Sequence, residues 1–131
     1  MDPNKREQLV ARLRGEPEPQ LVPIEAFFDG NEDLGSIGCN LLEHPGIDVF
    51  RDVLTSLLGR PDVAVYAAIS ELDPGYDSWP FSDTVYVVGA IPIDQLAEKL
   101  AILQPDEVGL PPRSRTPSQL RGSRVLMAWW D

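Results

Sequence analysis

His44, Ser82 and Asp83 are the residue types of a hydrolase triad, in which an imidazole takes the proton of a serine hydroxyl and a carboxylate orients the ring. No nucleophile-elbow pattern surrounds Ser82, and Ser82 and Asp83 are equally what closes a turn into a strand. Cys39 near His44 offers a thiol nucleophile by the same logic, against the plainer role of a small buried residue in a strand. Asp29, Asn31 and Asp33 alternate as the first ligands of a calcium loop do. Leu34 then stands where that loop needs glycine and Asn40 where it needs a bidentate glutamate, so an acidic turn ending a helix is expected instead of a metal site. Asp73, Asp77 and Asp83 could hold a hard cation only if the chain between them folds around it. There is no Gly-rich phosphate loop, no paired-cysteine motif and no HExxH, so no residue is assigned a catalytic role and no cofactor is expected.

Recognition has a stronger candidate. Trp79, Pro80 and Phe81 form a large apolar group between Asp77 and Asp83, a pattern that is either exposed for a partner or folded back as a lid or core element. Trp129 and Trp130 are adjacent on a strand, so their side chains point to opposite faces and only one can enter the main core.

Charge narrows the partner class. The 131 residues carry a net charge of −10, unevenly spread. Residues 16–112 hold eighteen Asp and Glu against Arg51, Arg60 and Lys99, a local −15. Residues 1–15 are locally +2, and residues 113–131, with four arginines, are +3. An acidic body repels phosphate backbones, which disfavours nucleic acid, and steers a basic protein toward itself; the same acidity also serves plain solubility. With 43% hydrophobic and 24% charged residues the composition is that of a globular domain. No segment approaches the roughly 20 consecutive apolar residues of a membrane span, and residues 1–6 run into no apolar signal core, so a cytoplasmic protein without membrane association is expected. The lone Cys39 fits a reducing compartment.

The elements that must position these residues follow from periodicity. Residues 3–14 read as a helix with Leu9, Val10 and Leu13 in one stripe and a basic face opposing the acidic body. Residues 16–20 form a Pro-rich acidic linker. Pro23 conflicts with a central strand over 21–28, so a short helix is expected there, ended by Gly30. The first strand is then placed at 36–41, where Ile37, Cys39 and Leu41 alternate with small or polar residues. A helix follows over 47–58, a strand over 63–70, a strand over 84–88, a helix from Pro92 to Leu103 and a last strand over 124–130. The segment 104–123, with little apolar periodicity, is expected to be functional or mobile.

This order predicts an α+β, ferredoxin-like βαββαβ sandwich: a four-stranded antiparallel sheet with two helices on one face, preceded by N-terminal helical segments, in one domain over 1–131. In such a fold residues 40–44, 73–83 and 105–115 meet at one end of the sheet, and 29–33, 60–62 and 129–131 at the other. The second sheet face would be an open apolar patch, covered by the N-terminal helix or by another chain, so that monomer and homodimer are both compatible.

The strings Asp29 to Asn40, Trp79 to Val87, Gln104 to Gly109 and Trp129 to Asp131 are similar to those of a group of small acidic bacterial proteins without an assigned activity, over about residues 22 to 131. The group's size and acidity are similar to those of immunity proteins that neutralise bacterial toxins, and the resemblance implies no catalytic residue. A non-enzymatic, protein-binding domain is therefore expected, immunity-like, meeting a basic partner through Asp73, Asp77, Trp79, Phe81, Asp83, His44, Asp106 and Glu107. The alternative is a small-ligand or metal-binding regulatory domain that uses the same sheet end or the open face.

Overall fold

Apolar spacing and caps set the helices. The computed structural model describes residues 1–131. Helix α1 spans Pro3–Leu13 and is capped by Asp2, whose carboxylate accepts the N–H groups of Asn4 and Lys5 at 3.0 and 3.1 Å. These are donors that the first helical turn leaves without intrahelical partners. Leu9 and Leu13, four residues apart, bury one stripe of α1 in the main core. Short helix α2 spans Ile24–Phe28, α3 spans Ile47–Ser56 and α4 spans Ile93–Leu100. The last two each run on into a 3-10 turn, over Leu57–Gly59 and Ala101–Leu103. Phe50, Leu54 and Leu57 of the first pair, and Leu96, Leu100 and Leu103 of the second, are fully buried against the sheet. Each such side chain contributes about 1.5–3 kcal/mol on leaving water.

The sheet has five strands, all antiparallel: β1 (Leu21–Pro23), β2 (Ala64–Glu71), β3 (Phe81–Val88), β4 (Glu107–Gly109) and β5 (Val125–Trp129), in the spatial order β1-β2-β3-β5-β4. The chain is an α+β protein, and its sheet is open. It is not a ferredoxin-like sandwich, because that topology needs the first strand inserted between the third and the last, and here β3 pairs directly with β5.

The difference lies in the first strand. Residues 36–41 do not form one. Asp33 Oδ1 accepts the N–H of Gly35 at 3.0 Å and starts a 3-10 turn over Leu34–Ser36. Ile37 alone makes an isolated bridge to Ser82, and Gly38 then turns the chain at φ +66°, where a Cβ would come within 2.8 Å of the Phe50 ring. An extended strand cannot pass through that left-handed glycine. Leu21–Pro23 is the strand instead. Pro23 is tolerated because β1 is an edge strand and needs no N–H on its open side. The short helix expected behind it is present as α2.

The alternation of the central strands divides the side chains between two layers. Val65, Ala67, Ile69, Val85, Val87, Leu126 and Ala128 face the helices. Ala68, Tyr86, Val125 and Met127 face the other way and are buried with Leu120. What covers this second face is the chain's own segment 110–123, a strap held by three contacts. Leu120 is inserted into the apolar layer, the Tyr86 hydroxyl donates to Arg115 O at 3.0 Å, and Gln119 Nε2 donates to Pro19 O at 3.2 Å. The face expected to be open is thus closed within one chain, and the long 104–123 segment is largely the closing device. No helix is long and apolar enough to cross a membrane.

Candidate functional site

Antiparallel pairing decides which residues share an end of the sheet. The end of β2, the start of β3, the start of β4 and the end of β5 lie together, so Glu71, Asp83, Glu107 and Trp129 are neighbours along one rim. Hydrogen bonds tighten it: Asp83 O accepts the Trp130 N–H at 2.9 Å, Trp129 O accepts that of Asp106 at 2.8 Å, and the Asp106 carboxylate accepts that of Asp131 at 2.6 Å. The turn at 29–36 joins the same end, because Asp33 Oδ2 accepts the Trp79 N–H at 2.9 Å. The Glu43 carbonyl accepts from the Gln104 side chain at 3.1 Å and brings in the 40–44 loop. Residues 29–33 and 129–131 therefore belong with 40–44 and 73–83, not at the opposite end where a ferredoxin-like order would put them. The four strings that carry the resemblance, spread in sequence from residue 29 to residue 131, converge here.

A cleft of about 220 Å³ opens at this rim. It is lined by Gly35, Cys39 and Asn40 on one side and by Phe81, Asp83, Trp129, Trp130 and Asp131 on the other. Around it, Glu71, Asp77, Asp83, Asp106, Glu107 and Asp131 are exposed. None of the six takes part in an ion pair. Tyr76 and Leu42, on the loops carried to this end, are 87% exposed and fully exposed, and Leu34 is half exposed.

The expected site residues separate into two sets. Asp77, Asp83, Asp106 and Glu107 present exposed carboxylates outside any ion pair at the rim, Asp83 accepting from the Thr84 hydroxyl at 2.9 Å, and Phe81 is half-buried in the cleft wall. Trp79, by contrast, is wholly buried in the main core, and its Nε1 has no hydrogen-bond partner. It is a core residue that anchors the start of β3, not a contact for a partner. Trp130 is buried too and donates to Leu103 O at 2.8 Å, whereas half-buried Trp129 lies on the strap side with the Arg115 guanidinium 5.5 Å from its ring centre.

Asp73 is occupied as well. The Arg6 side chain, 2% exposed, donates to Asp73 Oδ1 at 2.5 Å, to Gly75 O at 2.6 Å, to Ser78 O at 2.7 Å and to Glu7 Oε1 at 2.6 Å. Arg14 takes the other Asp73 oxygen at 2.9 Å. The hydrogen bond from Arg6, with the charges of Arg6 and Arg14, holds the Asp73 carboxyl below the usual carboxylate range against the opposing effect of burial. A guanidinium with four of its five N–H groups donated thus pins the 73–78 loop to α1 and sets where Tyr76 and Asp77 stand. The sequence reading missed Arg6, although it lies at three- and four-residue spacing from Leu9 and Val10, on the apolar stripe of its helix.

The residues that could do chemistry are committed elsewhere. His44 Nε2 lies 2.8 Å from Ile37 O, while Nδ1 accepts the Gly46 N–H at 2.9 Å, so the ring staples its own loop and rests on Phe50 with 4.9 Å between centres. With Nδ1 accepting, Nε2 is the protonated nitrogen. The buried Ser82 hydroxyl sits 2.7 Å from Ala68 O and 3.0 Å from Thr84 O, at the irregular step where the β2 and β3 register shifts. The imidazole lone pair is thus taken by Gly46, and the Ser82 hydroxyl is buried with its proton directed at backbone carbonyls. Cys39 is exposed in the cleft wall. The three calcium-loop residues go three ways: Asp29 to Lys5 at 2.6 Å, Asn31 to Ser36 Oγ at 2.9 Å, and Asp33 to Gly35 and Trp79. No group of three His, Cys, Asp or Glu side chains is placed to hold a metal.

No curated protein and no solved structure matches the chain. A family match covers residues 4–126, which takes in both layers of the core, the strap and every part of the rim except the final residues. The chain belongs to the Uncharacterized protein YfbO family.

Proposed function

We propose that the protein is a non-enzymatic binding domain that docks a basic segment of a partner protein at the acidic end of its sheet. The observation that supports this reading is the rim itself. Six exposed carboxylates without ion pairs stand around the cleft, and Tyr76, Leu42 and Leu34 are exposed beside them. Charges that the fold leaves unpaired steer an oppositely charged partner, and exposed large side chains among them provide the apolar contact that gives a docked complex its lifetime. The engagement of His44 and Ser82 by backbone groups argues against catalysis at the same end.

Within this reading the partner class we infer is a basic toxin domain, in line with the size and acidity shared with immunity proteins. The test is a low-salt pull-down from the native host with wild-type protein and with the Asp83→Ala/Asp106→Ala variant as baits. A basic protein held by the first and lost by the second supports the proposal; no difference between the baits contradicts it. A toxin gene beside this one would support the narrower partner class.

The cleft also favours a second reading, a regulatory domain for a small ligand. A thermal-shift screen separates the two, because a ligand selective for the folded state raises the melting temperature without any partner protein.

A further inference from the structure

The strap that closes the second sheet face carries a feature of opposite sign to the rim. Residues 113–124 hold four of the eleven cationic side chains, Arg113, Arg115, Arg121 and Arg124, in a chain with 21 carboxylates. Arg6, Arg14 and Arg51 all find carboxylates, whereas none of these four is in an ion pair. Arg115 is taken up by the Trp129 ring. Arg113 and Arg121 instead flank a pocket of about 470 Å³ completed by Thr116, Leu120, Gly122 and Ser123, and no carboxylate lines it.

The frame of this pocket is held. Leu120 is inserted in the second apolar layer, Pro117 is buried, and the Thr116 hydroxyl donates to Pro112 O at 3.2 Å. The pocket's remaining donors are free. Gly122, at φ +86°, makes no hydrogen bond through its N–H, and the Ser123 hydroxyl has no partner. Two guanidinium groups, a hydroxyl and a backbone N–H around one concavity are the donor set that recognises tetrahedral oxyanions.

We propose that the pocket between Arg113 and Arg121 binds a compact phosphate group, that of a small phosphomonoester or a lipid headgroup. A long polyanion does not fit the same surface, since the body carrying the strap is strongly acidic and repels a phosphate chain that extends past the pocket. This site is independent of the acidic rim. Arg124 O accepts from Gly89 N at the far end of the sheet, which places the 121–124 turn away from the cleft.

The test is an NMR titration of the full chain, at constant ionic strength, with inorganic phosphate and with phenyl phosphate, alongside sedimentation with phosphatidic acid vesicles. Saturable shifts at the Gly122 amide and the Arg113 and Arg121 side chains, weakened about tenfold or more in Arg113→Gln/Arg121→Gln and within about twofold of wild type in Arg124→Gln, are expected. Saturation by the soluble esters assigns a free phosphorylated molecule, and vesicle sedimentation lost in the double variant assigns a headgroup; either supports the site. Absence of both, or equal weakening by Arg124→Gln, overturns it. The replaced side chains are exposed and unbonded, so the variants are expected to fold as the wild type does.

Discussion

The Arg6 guanidinium and the Asp73 carboxylate meet at 2.5 Å across 67 residues of sequence, and through this contact the first helix holds the loop that carries Tyr76 and Asp77. The contact makes α1 a part of the candidate site's support. Removing Arg6 takes the side-chain donor from Ser78 O, leaves Gly75 O with the Ser78 N–H alone and leaves Asp73 with Arg14 alone, while Arg6 itself is a buried guanidinium whose packing is lost. Arg6→Ala is therefore expected to lower stability by about 3 kcal/mol in urea unfolding, and to broaden or shift the amide signals of residues 73–79. A loss below about 0.5 kcal/mol, the level of an exposed ion pair, would contradict the role given to Arg6.

Asp73 also imposes a pH dependence. Its folded pKa lies below the ordinary value of 3.8, chiefly through the hydrogen bond from Arg6. The contribution is thus complete above the unfolded value and is lost as pH falls through the folded one. Urea midpoints measured from about pH 5 to about pH 2 should fall for the wild type, with a shallower decline for Asp73→Asn. Identical slopes for the two proteins would count against it.

Trp79 is expected to behave as a core residue with one defect. Trp79→Ala should cost about 3–5 kcal/mol, as large buried aromatic truncations do. Trp79→Phe should cost less than about 2 kcal/mol, because it sheds an indole N–H that has no partner in the folded state. Equal losses for the two variants in chemical denaturation would show that Nε1 is satisfied after all.

The strap predicts an alkaline limit. Burial raises the Tyr86 pKa above 10.0, with Asp83 adding to the rise and Arg115 opposing it. A raised folded pKa means that the contribution of the neutral phenol is complete below the unfolded value and is lost as pH rises through the folded one. Stability should fall above about pH 10 in the wild type and more gently in Tyr86→Phe. Tyr86→Phe itself should cost about 1 kcal/mol at neutral pH for the lost bond to Arg115 O. Leu120→Asp should uncover the second face, seen as dye binding and self-association.

Much of this arrangement was legible in the residues. The stripes in α1, α3 and α4 and the alternation in β2, β3 and β5 were readable because each repeats over eight or more residues or ends on clear turn signals. The short edge strands were not. β1 is three residues long and contains a proline, and β4 lies inside a segment with no apolar period; both owe their pairing to the longer strand beside them. Misplacing the first strand at 36–41 carried the rest of the error, since it put a strand between 84–88 and 124–130, which in fact pair directly, and so sent Trp129 to Asp131 to the wrong end. The acidic rim was recognisable in part: Asp77, Asp83, Asp106 and Glu107 were in view as charges, whereas the burial of Trp79 and the pairing of Asp73 depend on Arg6 and Asp33, contacts spanning 46 to 72 residues.

The docking role of the rim is tested most directly by following backbone amides while an arginine-rich peptide is titrated into wild type, Asp83→Lys/Asp106→Lys and Asp94→Lys/Glu98→Lys. The last pair carries the same change in net charge on the exposed face of α4. Shifts should centre on Leu42, Tyr76, Asp77, Asp83 and Glu107, vanish in the rim variant and persist in the control, with affinity falling as salt rises. Shifts spread over all acidic surfaces, or equal losses in the two variants, would contradict a docking site at the end of the sheet.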